Sequence, residues 1–361
     1  MNSIKTTAEF YRRGLLMGLD LLAETMAWID QTLVTEAVPD IALIEASLCG
    51  SQGRYAVADW MAQIPGECDK TMVVRHLLGR MLLIIDRDPA HIPDVTHVLY
   101  QMAGEDDWPD LAGERCMWSF WDDFDLAAIG RYGDPKEVIA EMRAFLLRAF
   151  LLSEVALFQQ WAEATFPKGG FGEGEWEYPA WDRFWPAVLE FVAACPFSSW
   201  SQEELKAVLY ALARDHEDEI IADELREKFP DVLLPLTRAA IEFGEKDARW
   251  QLAHQLGQLD ATGGEPEQML LALAHDEEEY VRRRALQALA RRGSAAVEPL
   301  ALEMWEREDP HQEWSRMMAL SCLQRVGSQK LEPLLTEAER DVRPYLRARA
   351  EKIRRGEEDA F

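Results

Sequence analysis

Apolar residues recur every three to four positions along nearly the whole chain, and strict alternation is almost absent. That period keeps one face of an α-helix apolar, so the pattern predicts an all-α protein. The punctuation agrees with it. Asp134-Pro135-Lys136-Glu137 sets a capping aspartate ahead of a proline at the first helical position. Ser201-Gln202-Glu203-Glu204 reads as a capping box, in which two orphan backbone amides are satisfied reciprocally. Helices are predicted near residues 6–17, 21–35, 40–48, 54–63, 70–86, 93–103, 110–129 and 135–164. Others follow near 181–194, 202–227, 231–243, 246–258, 266–274, 279–291, 295–307, 311–326, 330–339 and 342–354.

One stretch breaks the pattern. Between Phe166 and Pro179 stand Pro167, Gly169, Gly170, Gly172 and Gly174, which forbid a continuous helix. Phe171, Trp176 and Tyr178 in the same stretch argue against a plain solvated tether. The chain therefore divides, as a sequence, into an N-terminal helical domain over 1–165, a linker or loop over 166–180, and a repeat domain over 181–361.

The repeat is explicit. Arg249, Arg282 and Arg316 lie 33 and 34 residues apart, and each opens a similar apolar phrase that runs on through Leu256, Leu289 and Leu323. Asp247, Asp276 and Asp309 stand just ahead, and Gly263-Gly264, Gly293 and Gly327 close the units. A period of this size predicts stacked helical units, because no single unit can bury its apolar face alone. The stretch from Asp276 to Gly293, with Val281-Arg282 after the aspartate, resembles the second half of a HEAT-type repeat. Asp309 to Gly327 is similar, with Trp314-Ser315-Arg316 replacing Val-Arg. Asp247 to Leu259 keeps only Arg249 and the apolar spacing, and Asp341-Val342-Arg343 restarts the phrase before Pro344 departs from it. The resemblance implies a HEAT-like α-solenoid of antiparallel helix pairs, a protein-binding surface, and Asp and Arg side chains that bond between neighbouring units. It implies no activity, since a fold does not fix a function.

Charge narrows the partners. The chain carries 38 basic and 65 acidic residues, a formal charge of −27. Before Val281 there are 22 basic and 51 acidic residues, and from Val281 onward 16 and 14, so the negative charge is concentrated in the earlier part. Such a surface repels nucleic acid and anionic membrane and attracts basic proteins. No apolar run reaches the length of a spanning helix, and no signal peptide precedes the first helical pattern. Five scattered cysteines without a CxxC pair predict reduced thiols and a cytoplasmic protein.

Motifs for chemistry are absent. The seven histidines form no HExxH or zinc-finger spacing, and no P-loop, GxGxxG or GxSxG occurs, so no metal, cofactor or catalytic residue is expected. What stands out is tryptophan among acids. Eight of the 13 tryptophans fall between Trp108 and Trp200. Asp106 and Asp107 precede Trp108; Trp118, Trp121, Asp122, Asp123 and Asp125 share a helical segment; Glu173, Glu175, Trp176 and Glu177 lie in the glycine-rich break. Three readings are open: a tryptophan core with a wet acidic face, a protein-binding face, or a carbohydrate cleft with paired carboxylates in a helical toroid. The sequence is read as the second, with those eleven residues (Trp108 excepted) as the partner face. The expectation is an acidic, non-enzymatic binding protein, in its most concrete form a bacterial immunity or inhibitor protein that neutralises a basic toxin domain. A generic HEAT-type scaffold is the alternative.

Overall fold

The computed structural model describes residues 3–104, 117–166, 177–259, 264–308 and 310–357, and the regular structure among them is helical. Two units form, Met1–Pro196 and Phe197–Phe361.

The first unit holds α1 (Ile4–Leu16), α2 (Leu22–Thr35), α3 (Ile41–Leu48), α4 (Arg54–Ala62) and α5 (Lys70–Arg87). After them come α6 (Ile92–Ala103), α7 (Ser119–Ala128), α8 (Pro135–Thr165) and α9 (Trp181–Ala194). Its core is the contact of α5 with α8. Leu77, Leu78 and Met81 of α5 and Leu146 and Leu147 of α8 are buried there. The two helices approach closely at Gly79, where an added Cβ would come within 3.0 Å of the Phe150 ring. Helix α8 runs for 31 residues, and its start matches the capping pattern: the Asp134 side chain accepts from the Lys136 amide at 2.9 Å, with Pro135 at the first turn.

Helix α9 belongs to this unit. Phe184 and Phe191 are fully buried, and Phe184 lies 5.1 Å from Phe158 of α8 between ring centroids. The sequence places 181–194 with the repeats, whereas the structure divides the chain at Pro196. The reason is that the apolar face of α9, with Phe184 and Phe191, packs on α8.

The second unit comprises α10 (Gln202–Arg214), α11 (Ile220–Lys228), α12 (Pro230–Phe243), α13 (Lys246–Gly257) and α14 (Gly264–Leu273). It continues with α15 (Glu279–Arg291), α16 (Val297–Glu306), α17 (Gln312–Arg325), α18 (Leu331–Ala338) and α19 (Pro344–Arg354). From α12 onward each even-numbered helix packs on the odd-numbered one after it, and α13, α15, α17 and α19 form a row. Ala285, Leu289, Ala319 and Leu323 are fully buried in that row. Arg249 spans to the next unit, Nε to Asp276 at 2.8 Å, and Arg316 reaches Asp341 at 3.5 Å. Arg292 donates to the carbonyls of Leu256 and Leu259 at 3.0 and 2.9 Å, closing the C-terminal end of the preceding α13. Gly293 and Gly327 adopt left-handed φ of +69° and +65°, which lets α15 and α17 end without the steric penalty a side chain would bring.

One predicted helix is two. The segment 202–227 breaks between α10 and α11, where Glu219 takes φ of +54° and Asp215 accepts from the Ile221 amide at 2.6 Å. An internal aspartate cap thus competes with, and defeats, the continuing helical ladder.

The row sets a tight tolerance. A Cβ at Gly257 would come within 2.8 Å of the Ala288 Cα, so Gly257→Val should destabilise the second unit by about 1–3 kcal/mol through overpacking. Leu289→Asp should lose more, about 3–5 kcal/mol, by burying an uncompensated charge. Denaturant titration with a probe in the second unit measures both, and a parent-like midpoint for either would contradict the stacked row.

Candidate functional site

Helix α7 is short and two-sided. Phe120 and Ala127 are buried, and Phe120 packs on Phe145 of α8 at 5.5 Å, which fixes the helix to the unit. The opposite side carries Trp118 and Trp121, 50% and 36% exposed, with Asp122 and Asp125 exposed beside them. Trp121 is partly seated: its ring lies 4.8 Å from Tyr100 and 5.7 Å from His97 of α6. Tyr100, Ile129 and Tyr132 are exposed as well. Helix α7 thus has an apolar face anchored to the unit and a second, wet face that holds aromatics beside carboxylates.

Two of the other predicted partner residues are described. Asp123 is half-buried on α7 and makes a polar interaction within the protein. Glu177 is exposed at the entry to α9, next to buried Tyr178. Asp106, Asp107, Glu173, Glu175 and Trp176 lie outside the described residues. Other tryptophans are structural: Trp161 and Trp181 pack around Phe158 with Tyr178, and Trp185 stacks on Trp181 at 5.2 Å. So the tryptophan-rich region serves both as core and as surface.

Sequence reasoning missed two features of this unit. Val34, Val38, Ile41 and Leu48 are 86%, 87%, 72% and 68% exposed, although all are aliphatic. The signal was present, since Ile41-Ala42-Leu43-Ile44-Glu45-Ala46-Ser47-Leu48 is a helix without a polar face. The second feature is a polar cavity of about 230 Å³ between α1, α2, α5, α8 and α9. In it Arg183 Nε meets Glu154 at 2.8 Å, Arg80 pairs with Glu24, and His76 Nδ1 lies 2.5 Å from Ser153 Oγ. Burial pushes the Glu154 carboxyl above its usual range, against the pull of Arg183. Burial and the nearby Glu154 lift the Tyr178 hydroxyl to about 12. Burial, helped by the Arg183 charge, lowers His76 to about 4. These groups come from α2, α5, α8 and α9, with Tyr178 just ahead of α9, and form no motif along the chain.

Among the described residues no group of three or more His, Cys, Asp or Glu side chains is disposed to hold a metal ion, and no helix is long and apolar enough to cross a membrane. A family model of HEAT repeats matches residues 266–353, so the C-terminal portion of the chain is a HEAT-type helical repeat array. An array of this kind is a helical scaffold, a protein-interaction module. Neither a curated protein nor a solved structure matches the chain.

The cavity has a pH signature. His76 takes its proton near 6.5 in the unfolded chain but only near 4 in the folded one. Between those values the unfolded state binds more protons. The contribution is therefore complete above about 6.5 and lost as the pH falls towards 4, on the order of 3 kcal/mol. Melting temperature should decline across that window, and His76→Gln should flatten the decline. An unaltered profile in the variant would show that His76 is not held neutral by its surroundings.

Proposed function

We propose that this chain is a protein-binding module that takes a basic protein through the aromatic and acidic face of α6 and α7, acting by occupancy and without chemistry of its own. The observation that carries this reading is the exposure of Trp118 and Trp121 beside Asp122 and Asp125 on a helix whose other face is anchored by Phe120. Large aromatics left in water lose the transfer free energy that burial would bring, about 25 cal/mol per Å² of apolar surface, and a partner recovers it. Acids around them are desolvated well only against opposite charge. The formal charge of −27 adds long-range attraction to basic proteins and repulsion from nucleic acids. In its sharper form the partner is a basic toxin or effector domain, and the chain inhibits it by covering the surface that binds its own polyanionic or acidic target.

A second reading, a scaffold that works through the repeats, is favoured by one observation. Tyr280, Trp314 and Tyr345 are exposed at the starts of α15, α17 and α19, with Trp314 and Tyr345 stacked at 5.6 Å. These rings offer an alternative anchor row in the second unit.

The two readings separate by mutation once a partner is in hand from affinity capture in the source cell. Asp122→Lys with Asp125→Lys should slow association and weaken its salt dependence while the fold survives. Trp118→Ala should shorten the complex lifetime about 30-fold, equivalent to about 2 kcal/mol. Trp118 is the better probe, because Trp121 also supports α6. Binding kinetics indifferent to these changes but lost in Trp314→Ala with Tyr345→Ala would move the interface to the repeats.

A further inference from the structure

The cavity between α1, α2, α5, α8 and α9 plays no part in the proposed docking face, and its composition is unlike the core around it. Glu24 and Arg183 stand towards its mouth, with side chains 45% and 42% exposed. Arg80 lies deeper at 28%, and Glu154 forms the floor at 4%. The floor also holds Ser153, buried, in contact with His76. Phe10, Leu83, Phe150 and Leu157 supply an apolar wall. Elsewhere the same two helices meet through Leu77, Leu78, Leu146 and Leu147. Partly exposed ion pairs add little stability, and burying the Glu154 carboxylate carries a desolvation cost, so stability alone does not account for replacing that packing by charges around open space.

We propose that this cavity is a binding site for a small zwitterion with an apolar side chain, the class of a free α-amino acid. Two guanidinium groups face two carboxylates, so the formal charge of the walls balances. An anion drawn to Arg80 or Arg183 meets Glu24 and Glu154 as well, and a cation meets the reverse. A ligand carrying an ammonium and a carboxylate on neighbouring atoms satisfies both signs at once. The His76–Ser153 pair makes the floor polar, and the Phe10–Leu83–Phe150–Leu157 wall takes the apolar part. Size allows it: a space of about 230 Å³ is far above the roughly 10–15 Å³ that one water needs, so it has room for a small molecule. Pockets where apolar walls meet a few convergent polar groups with perturbed protonation are where ligands bind.

The experiment is calorimetric titration of the full chain with L-valine, L-leucine and L-methionine, alongside two analogues of leucine. The first, 4-methylpentanoate, lacks the ammonium, and the second, 3-methylbutylamine, lacks the carboxylate. At least one amino acid should bind at millimolar concentration or below, with each analogue about tenfold or more weaker. Leu157→Trp, which fills the apolar side, should abolish binding. Glu154→Gln with Arg183→Gln removes both charges together, leaves neither unpaired, and should abolish it too. Thermal melting without ligand reports whether each variant is folded, and binding is compared only among those that are. Absence of binding by all three amino acids overturns the proposal, as does an analogue that binds as well as leucine, or parent-like affinity in both variants.

Discussion

Each helix pair of the second unit has an apolar face that it cannot cover alone, and the rest of that unit follows from this need. Coverage comes from the next pair, so α13, α15, α17 and α19 must lie side by side at close range. Close range demands small residues at the crossing, which is the role of Gly257 against Ala288. Desolvated helix ends then need partners, and the repeat supplies them across its own joints. Arg292 closes the carbonyls at the end of α13, and Ser328 Oγ donates to Glu298 of the preceding pair at 2.5 Å. Arg249 with Asp276, and Arg316 with Asp341, add charge-assisted links between units. Such pairs are held by a neighbour's geometry, so they specify the register of stacking more than they add stability.

The first unit meets the same burial requirement differently. Its core gathers on two long helices, α5 and α8, and leaves the outer faces of shorter helices to solvent. Acids are tolerated on those outer faces because water and salt screen them. Exposed aliphatic and aromatic side chains have no such excuse. Val34, Val38, Ile41 and Leu48 on one side, and Tyr100, Trp118 and Trp121 on another, are ordered helical or helix-adjacent residues that the core did not absorb. An isologous contact through such patches would bring like charge to like charge, which opposes it.

Local signals were legible and non-local ones were not. The Asp134 cap and the Ser201–Glu204 capping box were readable because they are fixed by residues two or three apart, and both occur in the structure. The repeat was readable because Arg249, Arg282 and Arg316 return at a constant interval. The break at Asp215–Glu219 was not, because an acidic stretch is as compatible with a solvated helix as with a cap. Trp118 and Trp181 have similar surroundings in sequence, acids and aromatics nearby, yet one is exposed and the other packs on Phe158. What separates them is which helix lies opposite, and no window of the sequence contains that. The cavity is the extreme case: Glu24, His76, Arg80, Glu154 and Arg183 meet only when four helices have packed.

Helix α8 links the two features of the first unit. Phe145 receives Phe120 of α7, and about one and a half to two and a half turns further on Phe150, Ser153 and Glu154 line the cavity. Proximity on one helix does not by itself couple two sites, because coupling needs an element with two arrangements that each ligand favours differently. Helix α8 is fixed along its length by buried residues from Val138 to Ala162, and its contact with α5 at Gly79 and Phe150 leaves little room for a shift. A rigid helix of this kind makes the two binding free energies add. An occupied cavity would then stabilise the unit that presents Trp118 and Trp121 without changing how tightly that face holds its partner.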